Sequence, residues 1–284
     1  MTATVASSSL QGEIRRESRR ATLRALGSSV LTLVLTLVAV LVMWQGSIWA
    51  FGLSPYIAKG PVQVWEHLFV DDDAAENLST LMTLLGETLV DAGIGFVAGL
   101  ALALATASAF QLSKGLEHAL MPLALLLRSV PLIAFAPVII MIFGREAATT
   151  AVMGAIVVLF PALVNIAYGL KSASPQMNDV VAVYGGGPAT ALRKVALPSS
   201  LPAFFAAVRI SAPGAITGAL LAQWLATGRG IGGAIGGYVS SAQFSDVWAA
   251  VVVVTLVSLV LYNLVLIVEN TVLARMGMHP EKRV

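Results

Sequence analysis

Long apolar runs alternate with short polar segments along most of the chain, and each run is long enough to cross a bilayer as a helix. About 20 apolar residues span the hydrocarbon core of a membrane, and runs of that length are the usual signal for a membrane helix. The predicted spans are approximately residues 30–52, 83–109, 118–143, 147–170, 203–225 and 247–268. The pattern therefore predicts an all-α polytopic membrane protein with six transmembrane helices.

One polar segment, DVVAVYGGGPATALRKVALPSSLP, separates the fourth run from the fifth. Its periodicity predicts a short amphipathic helix over 175–184 and a second helix over 189–196 that stops at Leu197-Pro198. Between the two helices, three glycines from Gly185 onward allow a sharp turn, and Pro188 suits the first turn of a helix. We therefore predict a helix–turn–helix knob outside the membrane.

Composition supports the membrane assignment, and the basic residues orient the chain. Of 284 residues, 57% are hydrophobic and 11% are charged, with a mean hydropathy of +0.86, whereas soluble domains carry about 25% charged residues. Six crossings place most of the basic residues on one side of the membrane, which the positive-inside rule identifies as the cytoplasm. These residues are Arg15, Arg16, Arg19, Arg20, Arg24, Lys114, Lys171, Arg193, Lys194, Arg209, Arg275, Lys282 and Arg283.

This orientation gives the chain three regions. A basic cytoplasmic tail is predicted over 1–29, a six-helix membrane domain over 30–270 with its knob loop at about 171–202, and a cytoplasmic C-terminal tail over 271–284. The predicted location is the cell (inner, cytoplasmic) membrane, with both termini in the cytoplasm.

The motifs of several chemistries are absent from the sequence. No G-x-x-x-x-G-K-[ST] motif occurs, so the chain has no phosphate-binding loop of its own. Residues 228–233 match G-x-G-x-x-G, but no strand precedes them, and we interpret them as a close-packed re-entrant or loop segment. The chain has no cysteine, and His67, His118 and His279 lie far apart, so we expect neither a metal site nor a cofactor. The basic run near the N-terminus lacks interleaved aromatic residues, which argues against nucleic-acid binding.

The polar segment resembles the EAA loop of binding-protein-dependent ABC importer permeases of the type I fold. The acid, the two small residues, the glycine six positions after the acid and the closing Leu-Pro correspond to Asp179, Val180, Val181, Gly185, Leu197 and Pro198. Aspartate replaces glutamate and valines replace alanines, while the spacing and the place between the fourth and fifth spans agree. The resemblance implies that this segment is a coupling helix that docks on a cytoplasmic ATPase subunit.

Two further stretches resemble the branch of these permeases that serves nitrate, sulfonate, taurine and pyrimidine-precursor uptake. Residues 125–144 contain Arg-x-x-Pro-x-x-Ala-x-x-Pro, and residues 219–235 are similar to the segment after the fifth helix. This chain has Gln223 before Trp224 where the branch usually has glutamate, and Asp91 where it more often has arginine. Both departures change the charge within or near the membrane, so the substrate class stays open.

Arg128 is the most informative residue for a transport path. A charge within a span costs at least about 2.5 kcal/mol, so Arg128 should face a water-filled cavity or pair with Asp91 or Glu87. Glu87 and Asp91, one helical turn apart, are interpreted as a pore-mouth or ion-pair feature. Pro131 and Pro137 bend the same helix as Arg128, although a structural ion pair and packing kinks would explain these residues equally well. The candidate path residues are Arg128, Pro131, Gln223 and Trp224.

Glycines four residues apart predict two close helix crossings. Gly95 and Gly99 lie in the second predicted span, and Gly214 and Gly218 lie in the fifth. A small-xxx-small spacing of this kind lets two helix backbones approach each other. We therefore expect tight packing at these positions, within the bundle or across a dimer.

Together, these features predict a permease subunit that moves a small solute by alternating access while a partner hydrolyses ATP. The resemblance implies an organic or inorganic anion such as a sulfonate or nitrate, or a pyrimidine-type vitamin precursor. The implied partners are cytoplasmic ATPase subunits, an extracytoplasmic solute-binding protein, a second identical or related permease copy and membrane lipid. The alternatives are an importer of phosphonate or of a cationic or zwitterionic metabolite, and a non-transporting membrane scaffold or receptor subunit.

Overall fold

The computed structural model describes residues 34–278, which form helices and contain no strand in that range. The chain divides into two compact units between Glu66 and His67. The helices are α1 (Val34–Ala50), α2 (Pro61–Phe69), α3 (Ala74–Leu112), α4 (Lys114–Ser129), α5 (Leu132–Phe143), α6 (Ala147–Lys171), α7 (Pro175–Val183), α8 (Pro188–Ala191), α9 (Leu197–Ser199), α10 (Leu201–Ala222), α11 (Gly230–Ser240) and α12 (Phe244–Arg275). The predicted basic tail over 1–29, the start of the first predicted span, and His279, Lys282 and Arg283 lie outside the described residues.

Four helices are long and apolar enough to cross a membrane. They are α3, α6, α10 with its π-helical extension (Leu201–Thr227), and α12. The α4–α5 pair passes the same test as one broken span, and α1 is a shorter apolar helix over its described residues. The prediction of an all-α polytopic membrane protein is therefore confirmed, while the count of six spans stays a prediction.

The predicted span over 118–143 is broken, since α4 and α5 meet at an angle of 105°, and the bend expected at its prolines is present at Pro131. Pro131 explains the break, since a proline restricts the preceding residue to extended conformations and has no N–H to donate. Val130 is accordingly extended, with φ −80° and ψ 126°. Pro137 lies inside α5 without ending it. The chain therefore turns sharply three residues after Arg128.

The core of the second unit forms where α3, α6 and α10 cross at glycines. A Cβ added to Gly95 would lie 2.8 Å from the Cα of Gly154 on α6, and one added to Gly218 would lie 3.0 Å from the same atom. A Cβ on Gly99 would lie 2.6 Å from a backbone oxygen of α6. At Gly214 the added atom would meet only an ordinary contact, at 3.4 Å. The predicted tight crossing is therefore confirmed at three of the four glycines.

The polar segment forms the predicted knob, defined here as residues 175–199, and its first leg is α7. No residue of α7 is buried. The chain reverses at Gly185, whose φ of 77° favours glycine over other residues. Gly186 follows, and a Cβ there would lie 2.5 Å from Cγ1 of Val181. The turn therefore needs glycine at 185 for its backbone angle and at 186 for its packing.

The second leg of the knob leads into the bundle. It runs from α8 through a π-helical turn (Leu192–Ala196) to α9, and Leu192, Val195 and Ala196 are buried. The prediction that this leg stops at Leu197-Pro198 is wrong, because Pro198 lies in the first turn of α9. The backbone before it is already helical, with Leu197 at φ −61° and ψ −48° directly after the π-helical turn. The second leg is thus anchored to the membrane domain, whereas the first leg is exposed.

Candidate functional site

Four polar side chains from two distant segments meet where α3 passes the beginning of α11. They are Glu87, Thr88 and Asp91 of α3 and Gln223 of the π-helical turn after α10. We call them the α3–α11 cluster. Gln223 is fully buried, its Nε2 donates to Asp91 Oδ2 at 2.8 Å, and its Oε1 accepts from Thr88 Oγ1 at 2.9 Å. The amide of Gln223 therefore joins α3 to α10.

The same cluster caps α11. The first N–H groups of a helix have no partner within the helix, and here the cluster accepts hydrogen bonds from three of them. The pairs are Gly230 N–H with Glu87 Oε2 at 3.0 Å, Ile231 N–H with Thr88 Oγ1 at 3.0 Å, and Gly232 N–H with Gln223 Oε1 at 3.2 Å. The end of α11 that could attract an anion is thus already occupied by the chain's own oxygen atoms.

The interpretation of residues 228–233 as a re-entrant or loop segment is corrected in one respect: a helix begins at Gly230. The expected close packing is present, since a Cβ on Gly233 would lie 2.1 Å from the carbonyl carbon of Gly228 and one on Gly232 would lie 2.3 Å from Leu220 O. This stretch follows a helix, so it lacks the strand that a dinucleotide site requires. The glycines therefore serve packing and capping.

Arg128 lies apart from the α3–α11 cluster. Its side chain is exposed near the end of α4, and within residues 34–278 it forms no ion pair with Asp91 or Glu87, so of the two alternatives the pairing is not formed. Asp91 accepts from Gln223, and Glu87 Oε2 lies 4.0 Å from Arg229 Nε. Both carboxylates therefore have other partners, and Arg128 is left on the surface of α4.

The other candidate path residues divide between surface and interior. Pro131 is exposed at the α4–α5 bend, and Trp224 is half exposed on the π-helical turn, with its indole against Gly236. Gln223 is buried beside Trp224 and lies behind that surface. Sequence reasoning missed Thr88, because a threonine in a membrane helix commonly bonds its own backbone, as Thr88 also does to Leu84 O at 3.0 Å.

A small polar cavity of about 40 Å³ adjoins the α3–α11 cluster. Asp91, Arg145 and Arg229 contribute to its lining together with Thr150. The Thr150 hydroxyl is buried and has no hydrogen-bond partner among residues 34–278. A cavity of this size holds water when polar groups surround it, so bound water is the expected partner of this hydroxyl.

The knob carries the residues of the predicted coupling motif on both legs. Asp179 and Val180 are exposed on α7, Val181 packs against the turn, and Leu197 and Pro198 are partly buried at the base. The structure adds two residues that the motif did not indicate: Val183 is 83% exposed and Tyr184 is 87% exposed. Their signal in the sequence is an apolar pair directly before the glycine turn.

An ion pair links α4 to the end of α6, just before the knob begins. Lys171, the last residue of α6, donates to Glu117 in the first turn of α4. The Glu117 side chain is buried and also lies 3.9 Å from Lys114. The pair therefore joins the segment that leads into the knob to the helix that carries Arg128.

The sequence profile described as binding-protein-dependent transport system inner membrane component matches residues 95–275. This range covers more than half of the chain and includes the knob, α10 and the α4–α5 bend. The chain belongs to this family. The prediction of an ABC importer permease of the type I family is therefore confirmed, together with its nitrate, sulfonate and pyrimidine branch.

Three relatives illustrate the similarity of this permease to characterised branches. The chain is 28% identical over 193 residues to the formylaminopyrimidine transport permease protein ThiX of Halalkalibacterium halodurans, covering 68% of this chain and 75% of ThiX. It is 27% identical over 237 residues to the riboflavin transport system permease protein RibX of Chloroflexus aurantiacus, covering 81% and 85%. It is 29% identical over 140 residues to the nitrate import permease protein NrtB of Synechococcus elongatus, covering 49% and 50%. These similarities place the chain among multi-pass inner-membrane permeases.

Proposed function

We propose that this chain forms the translocation path of an ABC importer as a pair of permeases with six spans each, both termini lying in the cytoplasm. Two cytoplasmic ATPase subunits bind the knobs, and an extracytoplasmic solute-binding protein delivers the solute. Nucleotide-dependent closure of the ATPases displaces the knobs and drives alternating access. The chain contributes no ATP site of its own.

The main support for this proposal is the exposed first leg of the knob. α7 buries none of its residues, and the apolar side chains of Val183 and Tyr184 stand beside the turn. Exposed apolar residues outside the membrane mark contact sites for partners, and tyrosines are enriched among the residues that dominate interface energies. The anchored second leg would transmit a push on this surface to α10.

The path for the solute is proposed along the exposed faces of α4, α5 and the π-helical turn after α10. Arg128, Pro131 and Trp224 lie on these faces, while Gln223 supports Trp224 from the buried side. The Lys171–Glu117 pair connects the end of α6, which leads into the knob, to α4. Motion of the knob would therefore change the environment of Arg128 and the angle at Pro131.

We propose a small solute of the type handled by the confirmed branch, either an oxyanion or a pyrimidine-type ring. ThiX and RibX are named for ring compounds and NrtB for nitrate. The exposed cation of Arg128 favours an oxyanion, whereas Asp91 places a negative charge where the branch more often has arginine. Nitrate and formylaminopyrimidine as competitors in uptake assays separate the two classes.

The test of the function is ATP hydrolysis by the complex purified from native membranes and reconstituted in lipid. Tyr184→Asp places a charge in the proposed contact, and Gly185→Arg forces a side chain onto a φ of 77°. Loss of a dominant interface residue weakens binding by about 2 kcal/mol, or about 30-fold. Both variants should therefore lose the ATPase subunit and the stimulated hydrolysis.

Gly187→Ala is the matched control. Gly187 lies in the same turn, but its φ is −85° and an added Cβ would have no atom within 4 Å. This variant should retain ATPase binding and hydrolysis. If the intact chain brings down no ATPase, or if Tyr184→Asp and Gly185→Arg hydrolyse ATP as the intact complex does, the importer proposal fails and the scaffold alternative replaces it.

A further inference from the structure

A cavity of about 860 Å³ lies between α6, α10 and α12 at the end of the bundle that carries the knob. Its lining combines polar groups, such as Asn165, Ser199 and Asn270, with apolar ones, such as Ala206 and Leu266. Cavities of this size hold small molecules or parts of larger ones. The proposed path along α4, α5 and the π-helical turn uses none of these residues.

The cavity lies at the depth of the lipid headgroups, as α12 and α6 independently indicate. α12 carries no charge from Val247 to Val268, a length of about 33 Å at about 1.5 Å per residue, which matches a hydrocarbon core of about 30 Å. Glu269 follows directly. On α6 the uncharged run ends at Lys171, beside the lining residues Gly169 and Ser172. Arg209 is the only charged residue of α10, and it pairs with Glu269 at this level. The charged lining of the cavity thus lies at one membrane–water boundary.

Arg209 and Glu269 form an ion pair within the lining. Arg209 Nη1 donates to Glu269 Oε2 at 2.9 Å, and the guanidinium lies 5.8 Å from the ring centre of Tyr262. The two side chains are 21% and 10% exposed. Within residues 34–278, the second terminal nitrogen of Arg209 and Oε1 of Glu269 have no hydrogen-bond partner. The pair therefore offers one cationic donor and one anionic acceptor side by side.

We propose that this cavity binds the headgroup of a zwitterionic phospholipid with a primary ammonium group, such as phosphatidylethanolamine. The phosphate accepts from Arg209, whose planar guanidinium suits phosphate oxygens, and the ammonium donates to Glu269. Hydrogen bonds between ionised groups are stronger than neutral ones. An anionic headgroup would satisfy Arg209 alone, and a trimethylated headgroup has no N–H for Glu269.

A lipid fits the cavity better than a free zwitterion of the same chemistry. The charged pair lies at the boundary of the membrane, and Leu266 and Ala206 extend the lining along the apolar sides of α12 and α10. Acyl chains would contact these apolar side chains and hold the headgroup at its depth. The site touches Ser199 at the base of the knob, so an occupied cavity would stiffen the junction between the knob and α10.

The experiment measures lipid retention by the purified full-length chain in a nonionic detergent. Phosphatidylethanolamine, its monomethyl and dimethyl forms, and phosphatidylcholine are added with identical acyl chains, and native mass spectrometry counts the bound lipid. The expected preference for phosphatidylethanolamine over phosphatidylcholine is about fivefold, falling stepwise as each methyl group replaces an N–H donor. Glycerophosphoethanolamine, which has the headgroup without acyl chains, should not displace the lipid at equal concentration.

Glu269→Gln tests the assignment without removing the hydrogen bond to Arg209, because the glutamine oxygen still accepts it. The variant should keep its melting temperature within a few degrees and lose the preference between the two lipids. Glu117→Gln is the matched control, since Glu117 is a buried carboxylate in an ion pair outside this cavity. It should keep the preference.

Four results would overturn the proposal. They are equal retention of both lipids by the intact chain, an unchanged preference in Glu269→Gln, displacement by glycerophosphoethanolamine, and a lipid-free dimer as the only species. The third result would identify a soluble zwitterion as the ligand, and the fourth would identify a second copy of the chain as the occupant. The lipid series on the intact chain tests the headgroup preference even if Glu269→Gln does not fold.

Discussion

Asp91 and Gln223 are the two residues at which the chain departs from its branch, and they contact each other directly. The amide of Gln223 donates to the carboxylate of Asp91 at 2.8 Å. This hydrogen bond links α3 to the π-helical turn after α10, so the two residues act as one donor–acceptor pair.

Substitutions that change the donor at position 223 and the acceptor at position 91 test this pair. Gln223→Glu places a second carboxylate against Asp91, and like charges at that distance repel. Gln223→Leu leaves Asp91 and the Gly232 N–H without their partner, at a cost of about 1–3 kcal/mol. Both variants should therefore have a lower melting temperature than the intact chain. Thermal unfolding is measured by the fluorescence of the five tryptophans.

The double variant Asp91→Asn with Gln223→Glu restores a donor opposite an acceptor, with the roles reversed. It should recover most of the melting temperature that Gln223→Glu loses. The coupling is refuted if Gln223→Glu is as stable as the intact chain, or if the second substitution adds a further loss instead of a recovery.

This site shows which residues the sequence could indicate and which it could not. Both departures were visible in the sequence, but 132 residues separate Asp91 from Gln223, and only the packing of the bundle brings them together. Thr88 gave no signal, because its second role depends on the position of α11. The alternative in which Arg128 pairs with Asp91 is not formed, because the carboxylate already accepts a hydrogen bond from Gln223.

At the level of helices, the crossing of α3 with α6 is set by the absence of a side chain at Gly95. The nearest atom to an added Cβ is the backbone Cα of Gly154 at 2.8 Å, and a backbone atom can move only if the helices separate. Overpacking of this kind costs about 1–3 kcal/mol. We therefore expect Gly95→Ala to lower the melting temperature by several degrees.

Gly93→Ala is the control on the same helix. An added Cβ at Gly93 would have no atom within 4 Å, and alanine favours a helix more than glycine does. This variant should melt at the same temperature or slightly higher. Equal losses in both variants would show that the close approach at Gly95 contributes nothing to stability.

Hydropathy located the long helices well, and two prolines affect the chain differently. Pro131 breaks the third predicted span because Val130 is extended, whereas the chain stays helical through Leu197-Pro198. The sequence alone does not distinguish these positions, since the effect of a proline depends on whether its N–H would have been bonded. The glycine spacing was more informative, because small residues matter wherever two backbones meet.

The molecule as a whole exposes apolar helix surfaces that its own chain does not cover. Met141 and Ile142 of α5 and Ile267 of α12 are mostly exposed. In water such surfaces would be costly, whereas the hydrocarbon core of a membrane accommodates them. The family assignment and the apolar surface therefore agree that the chain is embedded in a bilayer.

The final prediction concerns the path of the whole chain through the membrane, and the absence of cysteine makes it directly testable. Single cysteines at Asp72, Lys194 and Arg275 would be exposed, and an impermeant maleimide labels only those that face its side. Between Asp72 and Lys194 lie α3, the α4–α5 pair and α6. Between Lys194 and Arg275 only α10 and α12 are long enough to cross.

If the α4–α5 pair crosses the membrane as one broken span, three crossings separate Asp72 from Lys194. Asp72→Cys should then react from outside sealed cells, while Lys194→Cys and Arg275→Cys should react only in inverted vesicles. If the pair instead enters and leaves on one side, Asp72→Cys and Lys194→Cys will react from the same side. That result would refute the six-span topology and would place Asp72 beside the knob, on the side that the positive-inside rule assigns to the cytoplasm.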